Sequence, residues 1–427
     1  MGPDRQGSRH PAGVAGLKRD DLARRDAADP LARKRAEFEI PDGVIYFDGN
    51  SLGALPKRVA ARMRRAVEEE WARGLVRSWN DAGWYPAPAR TGAAIARLIG
   101  AEPGEVVVCD STSVNLFKVL VAALRLRPGR KVIVSERGDF PTDTYVNAGV
   151  AELLGAKLQL VDSSRIEGAI AEAGKDFALL QLTEVNYRSG LVWDMARLTK
   201  LAHRHGGLTV WDLSHSAGAL PVALNSSNAD FAIGCGYKYL NGGPGAPAYV
   251  YAARRHHSAM RQPIQGWFGH AKPFTFSDDY EPVAGIGRML AGTPPQLSLI
   301  ALEEALEVFA DVDLLALRSK GSALGDCFIA LAEQELAGHG FELACPREAE
   351  RRGSQVSLSH PQGYAIMQAL VARGVIGDFR APDVLRFGFA ALYVRYTDIW
   401  DAVAVLKEIM RTGAWNRPQF LARKAVT

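Results

Sequence analysis

The chain has 427 residues, more than one simple hydrophobic core organises, so two domains are expected. Its 48% hydrophobic and 23% charged residues exclude a mostly disordered polypeptide, and 51 basic against 47 acidic residues, with the arginines scattered, give no support to nucleic-acid binding. No apolar run reaches the about 18 to 20 residues of a membrane span, and the polar start lacks the apolar core of a secretory signal. The four cysteines, Cys109, Cys235, Cys327 and Cys345, form neither a CxxC pair nor a disulfide framework, so a reducing, cytoplasmic setting is expected.

The first 45 residues read as an N-terminal arm, mobile until about residue 20. "PKRVAARMRRAVEEEWARGL" (56–75) sets Val59, Met63, Val67 and Trp71 four residues apart behind a proline, the pattern of an amphipathic helix. "EVVVCD" (105–110) followed by "SVNLFKVLVAALRLRPG" reads as strand then helix with a Pro-Gly stop. The order recurs with "KVIVS" (131–135), "KLQLV" (157–161), "FALLQL" (177–182), "GLTVWD" (207–212), "DFAIG" (230–234) and "APAYVYA" (246–252). Strands alternating with helices imply an α/β fold with a mainly parallel, seven-stranded sheet covered on both faces, and the short last connections call for an antiparallel strand. After "GTPPQLSLIALEEALEVFA" (292–310) the texture changes, so a large domain over 46–310 and a smaller α+β domain over 311–427 are expected.

Ligands of open α/β sheets sit beyond the carboxyl ends of the strands, and three stretches there carry chemistry. In "DSTSVN" (110–115), Thr112 and Ser113 stand at a helix start, as an anion cradle or as plain N-caps. In "VWDLSHSAG" (210–218), a strand delivers Asp212 and then His215. In "GCGYKYLNGGPG" (234–245), Lys238 follows a strand into a glycine-rich turn. Together they suit pyridoxal 5'-phosphate (PLP). Its aldehyde needs a lysine amine, its ring nitrogen a carboxylate that keeps it protonated, and its phosphate hydroxyls at a helix start. Asp212 and Lys238 lie 26 residues apart, room for a connection and one further strand leading to the same cleft. No metal-ligand spacing is found.

Read from end to end, the sequence resembles the kynureninases among the fold type I (aspartate-aminotransferase-like) PLP enzymes, the bacterial ones more than the animal ones. The resemblance is carried by "YFDGNSLGALP" (46–56), "SWNDAGW" (78–84), "DSTSVNLFK" (110–118), "FPTDTYV" (140–146), "NYRSG" (186–190), "WDLSHSAG" (211–218), "GYKYLNGGPG" (236–245), "GWFGH" (266–270) and "GVIGDFRAPDVLRFGFAALYVRYTD" (374–398). It implies that Lys238 holds the PLP aldehyde, Asp212 pairs with the ring nitrogen and Phe140 stacks on the ring, with Asp143, His215 and Thr183 around it. Thr112, Ser113 and Tyr237 would bind the phosphate, joined by Trp267 and Thr293, contributed from a neighbouring subunit of a homodimer. Asp143 is equally placed to cap a helix, and Tyr239 and His270 have no derived task.

Arg386 would clamp the α-carboxylate of a small amino-acid substrate, where a two-pronged guanidinium suits better than lysine. The implied reaction is hydrolytic cleavage of the Cβ–Cγ bond of L-kynurenine to anthranilate and L-alanine, in tryptophan catabolism or NAD biosynthesis, with Lys238, Asp212 and Tyr237 catalytic. The Gly292-Thr293 pair resembles enzymes that favour kynurenine over 3-hydroxykynurenine, and either Trp79 or Trp84 lines the aryl pocket. Two alternatives stand beside this: a cysteine desulfurase or selenocysteine lyase, for which Cys345 is the one loop-like thiol in the C-terminal third, and a PLP-binding protein without turnover.

Overall fold

The computed structural model describes residues 16–423. All seven apolar runs form strands of one sheet: β1 (Val106–Val108), β2 (Val132–Glu136), β3 (Lys157–Val161), β4 (Phe177–Thr183), β5 (Leu208–Asp212), β6 (Phe231–Gly234) and β7 (Tyr249–Ala252). Their order is β1-β7-β6-β5-β4-β2-β3. β2 runs parallel to β3 and β4, β4 to β5, and β5 to β6, whereas β7 is antiparallel to both β6 and β1. The expected antiparallel strand is therefore β7. Its connection, residues 235–248, folds back beside β6, while residues 213–230 cross over in successive turns.

Every residue of β4, β5, β6 and β7 is buried, because both faces of the sheet are covered. Neighbours along a strand point to opposite sides: Leu179 and Val210 join one core with Leu116, Val119 and Leu120, and Leu180 and Trp211 join another with Ile95 and Leu302. Burying each such side chain stabilises the fold by about 1.5–3 kcal/mol.

The helices framing the sheet and the smaller unit are α1 (Arg19–Ala27), α2 (Lys57–Arg65), α3 (Thr112–Arg125), α4 (Pro141–Leu154), α5 (Leu314–Glu335), α6 (Gly363–Val371) and α7 (Tyr396–Thr412). The amphipathic helix expected over 56–75 holds only through α2; residues Ala66–Gly74 take the wider π winding. That change of pitch brings Ala66 to the core side and turns Val67 and Trp71 outward, Trp71 being 56% exposed.

The smaller unit carries a four-stranded antiparallel sheet of β8 (Glu342–Leu343), β9 (Gln355–Ser359), β10 (Asp378–Arg380) and β11 (Val384–Gly388), in the order β8-β9-β11-β10. Residues 16–45 are built onto this unit and do not form a loose arm. The Asp26 carboxylate accepts from the backbone N–H groups of Tyr396 (2.6 Å) and Thr397 (3.0 Å) at the start of α7, Asp29 pairs with buried Lys320 at 2.7 Å, and Ile45–Tyr46 pairs with Val375–Ile376. Residues 1–15, where most of the expected mobility falls, lie outside the described residues. The chain then passes through the loop Asp48–Gly53, whose Gly53 N–H donates to the Tyr237 carbonyl at 2.8 Å. Among the described residues no helix is long and apolar enough to cross a membrane.

Candidate active site

Five loops leaving the carboxyl ends of β1, β2, β4, β5 and β6 supply the central group of residues. Lys238 lies four residues past β6, and its Nζ is 3.0 Å from His215 Nε2 and 5.7 Å from the centre of the Phe140 ring. His215 is buried, and burial together with the Lys238, Arg386 and Arg380 charges holds its pKa well below the usual value. The imidazole is therefore neutral, and Nε2 accepts from the lysine amine, which leaves the ring proton on Nδ1. Among the described residues that Nδ1 has no hydrogen-bond partner. Phe140 caps α4, is 38% exposed and meets Tyr187 edge to face at 5.3 Å, so it offers the accessible aromatic surface that a flat ligand needs.

Beneath these groups lies a knot of buried carboxylates. Asp212 ends β5 and accepts from the Ser214 N–H at 2.7 Å. Asp143 reaches inward from the first turn of α4 to accept from Gln181 Nε2 (3.0 Å) and the Thr183 hydroxyl (3.2 Å), and among the described residues its other oxygen accepts no hydrogen bond. It does not act as the helix cap. Asp139 accepts from the Thr183 N–H (3.0 Å) and hydroxyl (2.5 Å) and from the Phe140 N–H (2.8 Å). Burial raises all three pKa values. Their mutual repulsion adds to the rise at Asp143 and Asp139, which is pushed up to about 6, while the Ser214 hydrogen bond and the Lys238 charge hold back the rise at Asp212. Thr183 thus touches the acids under the cleft.

The phosphate stretch resolves into two tasks. Ser111 is the N-cap of α3, its hydroxyl accepting from the Val114 N–H at 3.4 Å, so Thr112 and Ser113 in the first turn keep their half-buried hydroxyls for another partner. The half-buried phenol of Tyr237 has its pKa raised above the usual range by burial and by nearby Cys235 and Asp212, and so stays protonated.

Arg386 is buried on β11 and already engaged. Its Nε donates to Asp378 at 2.6 Å, Nη2 pairs with the same carboxylate, Nη1 donates to the Tyr187 carbonyl at 2.5 Å, and Nη2 reaches Ser51 Oγ at 3.2 Å. Trp267 and Thr293 are not joined to the Lys238 group: among the described residues no hydrogen bond or ring contact connects them. Trp267 is 39% exposed and packs on Phe268 and Phe274, and Thr293 is exposed. Tyr239 donates to the Ser354 carbonyl at 3.0 Å, and His270 packs against Tyr280 away from the cleft. Trp79 and Trp84 meet edge to face, Trp84 Nε1 donating to Glu70 at 2.9 Å.

Comparison with known proteins decides the family. A family model described as Kynureninase C-terminal domain matches residues 317–406. A kynureninase of Pseudomonas fluorescens is 51% identical, covering 96% of this chain and 99% of its own, and one of Burkholderia pseudomallei is 49% identical with the same coverage. The chain belongs to the kynureninase family.

Its fold is the fold type I α/β architecture. A cysteine desulfurase from Thermococcus onnurineus superposes with a TM-score of 0.76 at 20% identity, covering 89% of this chain and 98% of its own. A C-DES variant with glycine covalently linked to its PLP cofactor gives 0.76 at 17%, covering 88% and 99%. At such identities the likeness is one of fold alone. The central residues of this kynureninase-family chain fit PLP on their own chemistry. An amine lies over an aromatic ring, a helix start offers two hydroxyls left without a partner among the described residues, and three crowded carboxylates keep raised pKa values even with the Lys238 charge acting on Asp212, an excess of acid that a protonated ring nitrogen would offset.

Sequence reasoning passed over Asp139, Asp378, Ser51 and Tyr187. All but Asp139 lie inside the stretches that carry the family resemblance, and Asp139 immediately precedes one. Their tasks, however, are pairings between distant segments.

Proposed function

We propose that the protein catalyses the hydrolytic cleavage of L-kynurenine to anthranilate and L-alanine with PLP as cofactor, in tryptophan catabolism or NAD biosynthesis. The observation that carries this reading is the Lys238 amine, held at a neutral histidine and facing the Phe140 ring above the buried Asp212.

Thr112, Ser113 and Tyr237 would hold the phosphate, Phe140 the ring face, Asp212 with Asp143 and Thr183 nearby the ring nitrogen, and His215 the rim. When bound, PLP supplies an aldehyde for exchange with the substrate's amine and a protonated ring that accepts electrons. Asp212 keeps the ring-nitrogen proton in place. Lys238 Nζ removes the proton from the substrate's Cα, and His215, accepting a hydrogen bond through Nε2, aims the amine. The Tyr237 phenol, protonated at neutral pH, gives a proton to the Cβ that becomes the alanine methyl. Arg386 binds the α-carboxylate through the Nη1 donor that remains, and because Asp378, Ser51 and Tyr187 occupy four of its five N–H groups, its position is fixed before substrate arrives.

We assign residues 46–310 to the cofactor-binding unit and 311–427 to the smaller one, with 16–45 counted with the latter. The working form is a homodimer, in which Trp267 and Thr293 of one copy complete the phosphate site of the other. The exposed aromatic surface of Trp267, Phe274 and Phe276 and the outward-turned Val67, Trp71 and Val76 support this. Gly292-Thr293 is assigned to a preference for kynurenine over 3-hydroxykynurenine, and the cytoplasm is the proposed location. The desulfurase alternative is disfavoured by Cys345, whose thiol is pushed up by burial against the opposing pull of the Ser357 hydrogen bond and of Arg352 and Arg347.

The test is incubation with PLP and kynurenine while following anthranilate fluorescence. Turnover by the wild type and its loss in Lys238→Ala are expected. A yellow but inert protein, or sulfide release from cysteine that Cys345→Ala abolishes, refutes the assignment. A higher kcat/KM for 3-hydroxykynurenine refutes the specificity.

A further inference from the structure

Lys118, on the buried side of α3, takes no part in the steps above, yet its side chain is wholly enclosed. Its Nζ donates to Asp110 Oδ2 at 2.6 Å and to the Met289 carbonyl at 2.6 Å, and lies 3.4 Å from the Cys109 sulfur. An ammonium group has three protons, and these contacts use all of them.

Two of these partners, Asp110 and Met289, lead toward the proposed phosphate sites, the first to that of its own copy and the second to the segment that serves the other copy's. Asp110 stands two residues before Thr112 in a left-handed backbone conformation (φ +46°), so its carboxylate neighbours the very helix start that offers Thr112 and Ser113 to an anion. A second negative charge there would repel a phosphate, and a partly buried setting screens that repulsion poorly. Met289 ends the short helix Gly285–Met289, from which the chain runs on to Thr293, and the Ala291 carbonyl accepts from the Phe268 N–H at 3.1 Å, next to Trp267.

We infer that Lys118 is a positioning residue for phosphate recognition: it neutralises Asp110 beside the Thr112–Ser113 cradle and ties that turn to the segment bearing Trp267 and Thr293. The inference rests on the reading of the cradle as the PLP phosphate site.

PLP and pyridoxal, which lacks the phosphate, are titrated into apoprotein of the wild type, Lys118→Met, Asp110→Asn and the double variant, following tryptophan fluorescence and visible absorbance. Lys118→Met is expected to weaken PLP binding about tenfold or more while pyridoxal changes by less than about twofold. The double variant recovers most of the PLP affinity. Asp110→Asn alone, which keeps an acceptor for Lys118, binds PLP at least as tightly as the wild type, and this variant and the double variant carry the test if Lys118→Met fails to fold. Unchanged PLP binding in Lys118→Met, equal losses for PLP and pyridoxal, no recovery in the double variant, or weaker PLP binding in Asp110→Asn each overturns the inference. A wild type that does not bind PLP overturns the cofactor reading itself and this inference with it.

Discussion

Replacing Gly53 with alanine tests how tightly the loop Asp48–Gly53 holds the Lys238 turn. Gly53 has no need of glycine's backbone freedom, since its φ is not in the left-handed region, so space alone forbids a side chain there. A Cβ would stand 2.7 Å from the Cα of Asn241 and closer still to the Lys238 carbonyl oxygen, backbone atoms that cannot swing aside. Ordinary contact distances require the lysine turn to retreat by roughly 1 Å. Overpacking of this kind costs about 1–3 kcal/mol, and a displacement of that size at a reacting group costs about a hundredfold in rate. Gly53→Ala should therefore melt below the wild type and lose about a hundredfold in kcat for anthranilate release, with KM less affected because Arg386 lies on a different element. Gly149→Ala is the control. It sits on the exposed side of α4 with nothing near its Cβ, and alanine there should be neutral or stabilising by up to about 1 kcal/mol. A Gly53→Ala protein with wild-type melting temperature and rate would show that the loop does not support the lysine.

Glu184, one residue beyond β4, is buried with one carboxylate oxygen that has no hydrogen-bond partner among the described residues, and burial pushes its pKa up to about 7 against the weaker opposing influence of Ser216 and Arg318. Its folded pKa exceeds the unfolded one, so the native state holds the extra proton between about pH 4.5 and 7 and loses stability as the pH rises through that window. Glu184→Gln should gain on the wild type by up to about 3 kcal/mol at pH 8 relative to pH 5, measured by urea unfolding; a difference that does not change with pH would contradict this. Asp230, buried at the opposite end of the sheet, shows the reverse sign. Burial raises its pKa, but hydrogen bonds from His203, His256 and Arg255 and the charge of His203 outweigh it and hold the carboxyl well below the usual range. Its contribution is complete above about pH 4 and is lost as the pH falls further. Asp230→Asn should cost about 3 kcal/mol at pH 7 and progressively less below pH 4, and an equal cost at both would refute the electrostatic account.

The seven strands and the three stretches bearing Thr112, Asp212 and Lys238 were legible in the amino-acid order, because alternation, strand length and turn residues are local properties that burial on both faces only reinforces. The same order left Asp143 open between capping and the cleft; the inward reach to Gln181 and Thr183, set by the packing of α4 against β4, decided it. The π winding after Arg65 was invisible, since a four-residue apolar spacing does not say which phase of the helix meets the core. Arg386 read as a lone carboxylate clamp, and Lys118 closed the stretch 110–118 with no task assigned to it. Only the tertiary structure brought Asp378, Ser51 and Tyr187 around the first and joined the second to Asp110 and Met289, 171 residues further along. The chemical capability of this protein was written into its residue types, whereas their charges, partners and freedom to move depend on what long-range folding packs beside them, for which a linear order carries no distance.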